Sequence, residues 1–222
     1  MNEVAKTNRS WTRLDESDSR SFMARVMPIN IGAMREASMA TLEQLHFRLA
    51  GAADAEAIAN LHADSWRRHY RGAYSDAFLD GDVFADRLAF WTDRLREPDR
   101  RRCTILAEDG SLVGFANTVF DDDPRWGALL DNLHVADGHP RRGIGSRLLA
   151  LTAEAILERP HRTGLYLWAL EQNVDAQAFY RAHGGRCVER APAAPPGGIA
   201  SRLTGSPTKL RYVWPAELLE PR

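Results

Sequence analysis

Apolar residues recur at three- and four-residue spacing in some stretches of the chain and alternate or cluster in others. The two periods sort it into helices and strands. Ile144, Leu148, Leu151, Thr152, Ala155 and Ile156 form one stripe. It predicts an amphipathic helix that Pro160 ends. Just before it, Leu129, Leu130, Leu133 and Val135, with Asp131, Asn132 and His134 interspersed, predict a strand. Upstream, a first strand is expected near 45–50, and Asp54 can cap a helix carrying Ile58, Leu61 and Trp66. Gly72 and Gly81 break the chain, and a second helix is expected near 83–96. Strands near 103–108 and 112–120 flank Asp109-Gly110, a strong hairpin signal. Downstream, 165–170 reads as a strand. Asn173 as N-cap and Gly184 or Gly185 as stop enclose a helix whose apolar side is Ala178, Phe179 and Ala182. Residues 191–207, rich in proline, glycine and serine, form a long loop between the last two strands, the second near 209–214. The order implies an α/β or mixed α+β sheet flanked by helices.

Residues 1–40 break from this pattern. Ser10, Asp15, Glu16, Ser17, Asp18 and Ser19 make them polar, with only a short apolar run between 22 and 34. They are expected to be a disordered or loosely docked extension before a single domain spanning 41–222. The 222 residues are 44% hydrophobic and 27% charged, ordinary for a globular protein. A net charge of −1 gives no electrostatic case for nucleic acid or a membrane surface. The polar first 20 residues show no signal peptide, and Cys103 and Cys187 read as reduced thiols, so a cytoplasmic location is expected. The seven histidines show no metal-ligand spacing.

The chemistry concentrates where the strand at 129–135 runs through a basic, glycine-bearing turn into the helix at 144. The first amides of a helix lack intrahelical acceptors, and the dipole makes that end positive. Gly143 and Gly145 let an anion approach the backbone, and Arg141 and Arg142 add charge, so a pyrophosphate fits. A dinucleotide-binding motif would need a third glycine where Leu148 stands and an acid at the end of the next strand. Neither is present at the right place, which leaves coenzyme A.

Here the sequence resembles the GNAT superfamily of N-acyltransferases, whose signature is Arg/Gln-x-x-Gly-x-Gly/Ala. The chain reads Pro140-Arg141-Arg142-Gly143-Ile144-Gly145. Both glycines match. Pro140 replaces the leading side chain and has no amide to donate, a contact that Arg141 or Arg142 could supply. A second block, Asn173 to Gly185, is similar to the family's N-x-x-A-x-x-F/Y-Y-x-x-x-G-F pattern, with Gly185 in the last place and with Asn173 and Tyr180 two turns apart on nearly one helix face. The resemblance spans about residues 45–215.

The resemblance implies a mixed central sheet flanked by helices and acetyl-CoA as co-substrate. It implies a cofactor site of Leu133, His134, Val135, Arg141, Arg142, Gly143, Ile144, Gly145, Ser146 and Asn173. Leu133 and Val135 would pair with the pantetheine arm by backbone, while the His134 side chain is expected to pack on the other face. Tyr180 would protonate the leaving thiolate. One branch of the family carries a glutamate base where this chain has Trp168. Asp131, expected in phase with Leu133 and Val135, is the alternative base, and Glu171 could relay through water. Trp66 and Tyr70, with His69 and Tyr74, lie where relatives shape the acceptor pocket. The acceptor would be a small-molecule or peptide amine, with a homodimer left open. The competing reading is an acyl-CoA sensor with little turnover.

Overall fold

A computed structural model describes residues 45–138, 143–161 and 163–219. The expected 1–40 extension, Arg141 and Arg142 lie outside the described residues.

The strands are β1 (His46–Leu49), β2 (Arg102–Glu108), β3 (Leu112–Asp123), β4 (Gly127–Val135), β5 (Leu165–Leu170), β6 (Arg186–Pro192) and β7 (Thr208–Trp214). The helices are α1 (Ala55–His69), α2 (Asp76–Asp80), α3 (Val83–Leu95), α4 (Ile144–Leu157), α5 (Val174–Ala182) and α6 (Ala216–Leu219). The strands form one sheet in the order β1-β2-β3-β4-β5-β7-β6. Among the described strands only β4 and β5 pair in parallel. The mixed sheet flanked by helices is the architecture the periodicities predict.

Alternation along the strands sends side chains to two layers. On one face Ile58, Leu61 and Trp91 of α1 and α3 bury Leu106 and Phe115. On the other, Ile144, Leu148, Leu151 and Ile156 of α4 bury Ile105, Ala107, Leu165 and Leu167. The helical stripe read from the sequence is therefore the buried face of α4. Gly114 on β3 lets α4 sit this close, because a Cβ there would come within 3.0 Å of Ile144 and 3.2 Å of Leu148.

Three local expectations change. Asp54 does not cap α1 with its side chain. A 3-10 turn over Ala52–Asp54 precedes the helix, and the Asp54 carboxylate accepts the Gly51 amide and the Arg48 guanidinium. The break between Gly72 and Gly81 contains α2, whose Phe78 and Leu79 are buried. The 191–207 loop holds two 3-10 turns and is docked, not loose. The Ser75 amide donates to the Arg202 carbonyl, the Thr204 amide to that of Ala73, and Tyr74 bridges Leu203.

Candidate active site

Two features of β4 create the site. The first is its brief pairing with β5, in register only at Ala128–Leu165 and Leu129–Tyr166. Beyond Leu129 the strands part, while β5 stays paired to β7 as far as Leu170. The far end of β4 thus has backbone groups with no strand beside them. The Ala136 amide donates to the Val113 carbonyl on β3, and His134 lies opposite Phe115. Alternation then turns the amides and carbonyls of Leu133 and Val135 away from β3 and into the gap.

The second feature is a bulge. Asn117 of β3 lies opposite Asn132, but the next residue, Thr118, lies opposite Leu130, so Asp131 is the extra residue. It breaks the side-chain phase of β4. Ala128 and Leu130 face α4, and after the bulge so do Leu133 and Val135. Asp131 is therefore not in phase with Leu133 and Val135. Its carboxylate lies toward α3, where Oδ2 accepts from Arg94 at 2.6 Å. The same guanidinium nitrogen donates to Asn117 Oδ1 at 2.7 Å.

His134 does face the other way from Leu133. Its Nδ1 is 2.7 Å from Ser65 Oγ of α1, and its ring stands 4.6 Å from that of His62. Burial holds its pKa down at about 3, and that of His62 well below the ordinary range. The His134 side chain thus belongs to the α1 interface, and its backbone amide and carbonyl face Phe115 on β3 and not the gap.

At the mouth of the gap, Gly143 caps α4 in the left-handed conformation with φ 75°. The first intrahelical bond is Arg147 N–H to the Gly143 carbonyl, so the amides of Ile144, Gly145 and Ser146 have no intrahelical acceptor. Gly145 also faces α5. A Cβ there would lie 3.4 Å from the Phe179 ring and 3.8 Å from Val135, so this glycine seats α4 against α5. Ser146 Oγ is 2.8 Å from His183 Nε2, and His183 Nδ1 is 2.8 Å from the Phe179 carbonyl. A carbonyl only accepts, so Nδ1 carries the proton, and in the neutral ring Nε2 accepts from Ser146. His183 thus ties the start of α4 to the end of α5. The sequence reading missed it, although His183 lies four residues after Phe179, one turn on along the same helix face.

On α5, the Asn173 carbonyl oxygen accepts the Ala176 amide at 3.1 Å, the expected cap. Tyr180 is 9% exposed and packs against Tyr212 and Trp214. Burial, and after it the proximity of Tyr70, pushes its hydroxyl pKa well above that of free tyrosine. No described residue hydrogen-bonds that hydroxyl. Burial and then the Asp131 carboxylate push Tyr70 up to about 12.

Beside Tyr70 is a pocket of about 380 Å³. Trp66, Tyr70, Tyr74 and Phe90 form its aromatic wall. Arg87, Arg94, Asp131 and Asn132 supply polar groups, and Pro196 and Gly197 of the docked loop complete it. Trp66 and Tyr70 thus line one pocket with Asp131. Other expected groups lie elsewhere. Trp168 packs against Lys209 and Arg211. Glu171 accepts hydrogen bonds from Arg190 and Thr208, which hold its carboxyl down at about 2. These contacts tie it to that edge of the sheet.

Comparison with known proteins agrees with this fold. Residues 57–184 match the acetyltransferase (GNAT) family. An uncharacterized N-acetyltransferase of Bacillus subtilis, YuaI, is 27% identical over 134 residues, 59% of this chain and 73% of its own. PaiA N-acetyltransferase from Thermoplasma acidophilum, solved with coenzyme A, has a TM-score of 0.58 at 19% identity, covering 77% of this chain and 99% of its own. Arabidopsis thaliana NAA60, solved with a bisubstrate analogue, has a TM-score of 0.56 at 18% identity, covering 77% and 97%.

Proposed function

This chain belongs to the acetyltransferase (GNAT) family and is an acetyl-CoA-dependent N-acetyltransferase, and from that premise we propose that it acetylates a small-molecule or peptide amine by direct attack, with Tyr180 as general acid. The observation that carries the reading is the parting of β4 from β5 beside the open N-terminus of α4. The gap offers backbone donors and acceptors to a pantetheine arm. The amides of Ile144, Gly145 and Ser146, which have no intrahelical acceptor, offer a positive dipole end to a pyrophosphate. The residues present therefore fit coenzyme A, and Arg141 and Arg142 would add charge to that end.

Bound acetyl-CoA supplies an acetyl thioester whose departing thiolate needs a proton. Tyr180 suits that need. Its raised pKa keeps the O–H intact at neutral pH, and the hydroxyl has no competing partner among the described residues. The Val135 amide is a donor for the thioester carbonyl. Asp131 keeps Oδ2 on Arg94, and its Oδ1 accepts no hydrogen bond from a described residue. We assign that oxygen to the incoming amine, which it orients and relieves of a proton. Positioning of the two reactants supplies much of the rate. A thiol-release screen of amines with acetyl-CoA tests the reading. Release dependent on an amine supports it, and coenzyme A binding without release from any amine argues for a sensor.

A further inference from the structure

We propose that the acceptor carries a carboxylate as well as its amine, a small amino acid in chemical class, and that Arg87 recognises the carboxylate. The inference rests on the pocket at Asp131 being the acceptor site.

Arg87 lies on α3 and is only 7% exposed. Its guanidinium carbon lies 4.4 Å from the Trp66 ring centroid and 4.5 Å from that of Phe90. Nε and Nη2 both donate to Asp86 Oδ2. Asp86 is not Arg87's alone, since its Oδ1 accepts from Arg202. Arg94 is matched by Asp131. Among the described residues of these ion pairs, three guanidinium groups (Arg87, Arg94, Arg202) therefore face two carboxylates (Asp86, Asp131), an excess of one positive charge. A cation this far out of water is unfavourable unless an anion compensates it.

The geometry selects the kind of anion. The Trp66 and Phe90 rings lie against the Arg87 guanidinium, and Asp86 takes the Nε–Nη2 edge. Nη1 donates to no described residue, and Arg87 lines the pocket. What remains is the edge of a fixed planar fork, which matches a carboxylate. Asp131 Oδ1 is available to an amine in the same pocket. Trp66, Tyr70 and Tyr74 give the rest of the ligand an apolar wall. The docked 196–197 segment closes one side, held by Arg202 through Asp86 and the Pro196 carbonyl. A small molecule with an amine and a carboxylate fills this arrangement.

The test compares each standard amino acid with the amine that lacks its carboxylate, on full-length protein, by acetyl-CoA thiol release and by calorimetric titration of the acceptor. At least one amino acid should exceed its decarboxylated partner about tenfold or more in kcat/KM and in affinity, the scale of a charged hydrogen bond. Arg87→Met should collapse that ratio to within about threefold, and Arg87→Lys should keep part of it. The wild-type comparison stands even if a variant misfolds. Thiol release from decarboxylated amines at equal or greater efficiency overturns the inference and leaves the transferase reading intact. No thiol release, with amino acids still bound and the bound ratio lost in Arg87→Met, overturns the transferase reading and upholds the carboxylate site. Neither binding nor release of any amino acid overturns the inference.

Discussion

Tyr180→Phe removes one hydroxyl and leaves the ring. Phenylalanine keeps the contacts with Phe179, Tyr212 and Trp214, whose ring centroids lie 5.4, 5.7 and 6.1 Å away. No described residue hydrogen-bonds the hydroxyl, so none is left unsatisfied, and stability should change by less than about 1 kcal/mol. A general acid contributes about 10²- to 10⁴-fold, equivalent to roughly 2.7 to 5.4 kcal/mol of barrier. Even the lower figure exceeds the expected structural effect, so turnover separates the two roles. At saturating acetyl-CoA the variant should lose about 10² or more in kcat. Melting temperature and coenzyme A affinity should hardly move. The loss should shrink with a thioester whose leaving thiol is more acidic, because that thiolate needs less protonation. A change in kcat below about threefold, with chemistry shown to be rate-limiting, refutes the acid role.

Other elements make separate predictions. Arg94→Met leaves the Asp131 carboxylate and Asn117 Oδ1 without their donor, and should lower stability by about 1 to 3 kcal/mol in chemical denaturation; an unchanged midpoint contradicts this. His183→Ala cuts the link between Ser146 and the end of α5, and should weaken coenzyme A binding severalfold by calorimetry without abolishing folding. His134 and His62 are depressed in the folded state, so below their unfolded pKa near 6.5 the unfolded chain binds the extra protons. Stability should be full above pH 6.5 and should fall toward pH 3, at roughly 1.4 kcal/mol per pH unit for each titrating ring. Urea melts of wild type and His134→Asn across that window check the sign, and a wild-type profile flat between pH 6.5 and 4 contradicts it.

What could be read in the chain beforehand was what repeats locally. The stripe from Ile144 to Ile156, the strand at Leu165–Leu170 and the Asn173 cap each depend on neighbours a few residues apart, and each lies where its pattern puts it. The bulge at Asp131 does not. Leu129 to Val135 alternates acceptably with or without an extra residue, and only pairing to Asn117 and Thr118 of β3 decides which residue is left over. The short α2 was hidden between two glycines that read as breaks. Nothing in the sequence of the 83–96 helix singles out Arg87 and Arg94. Their roles need Trp66, Phe90 and Asp131, which arrive from other parts of the chain. His183 likewise acquires its role only when α4 places Ser146 beside it.

The central claim is that the gap between β4 and β5, with the N-terminus of α4, receives coenzyme A. A crystal structure of the protein grown with coenzyme A tests it most directly. The account predicts the pyrophosphate on the amides of Ile144, Gly145 and Ser146, and the pantetheine arm along the Leu133 and Val135 backbone with its sulfur directed toward Tyr180. Coenzyme A bound elsewhere, or β5 closed against β4 along Leu130–Val135 with no cofactor in the gap, would contradict it.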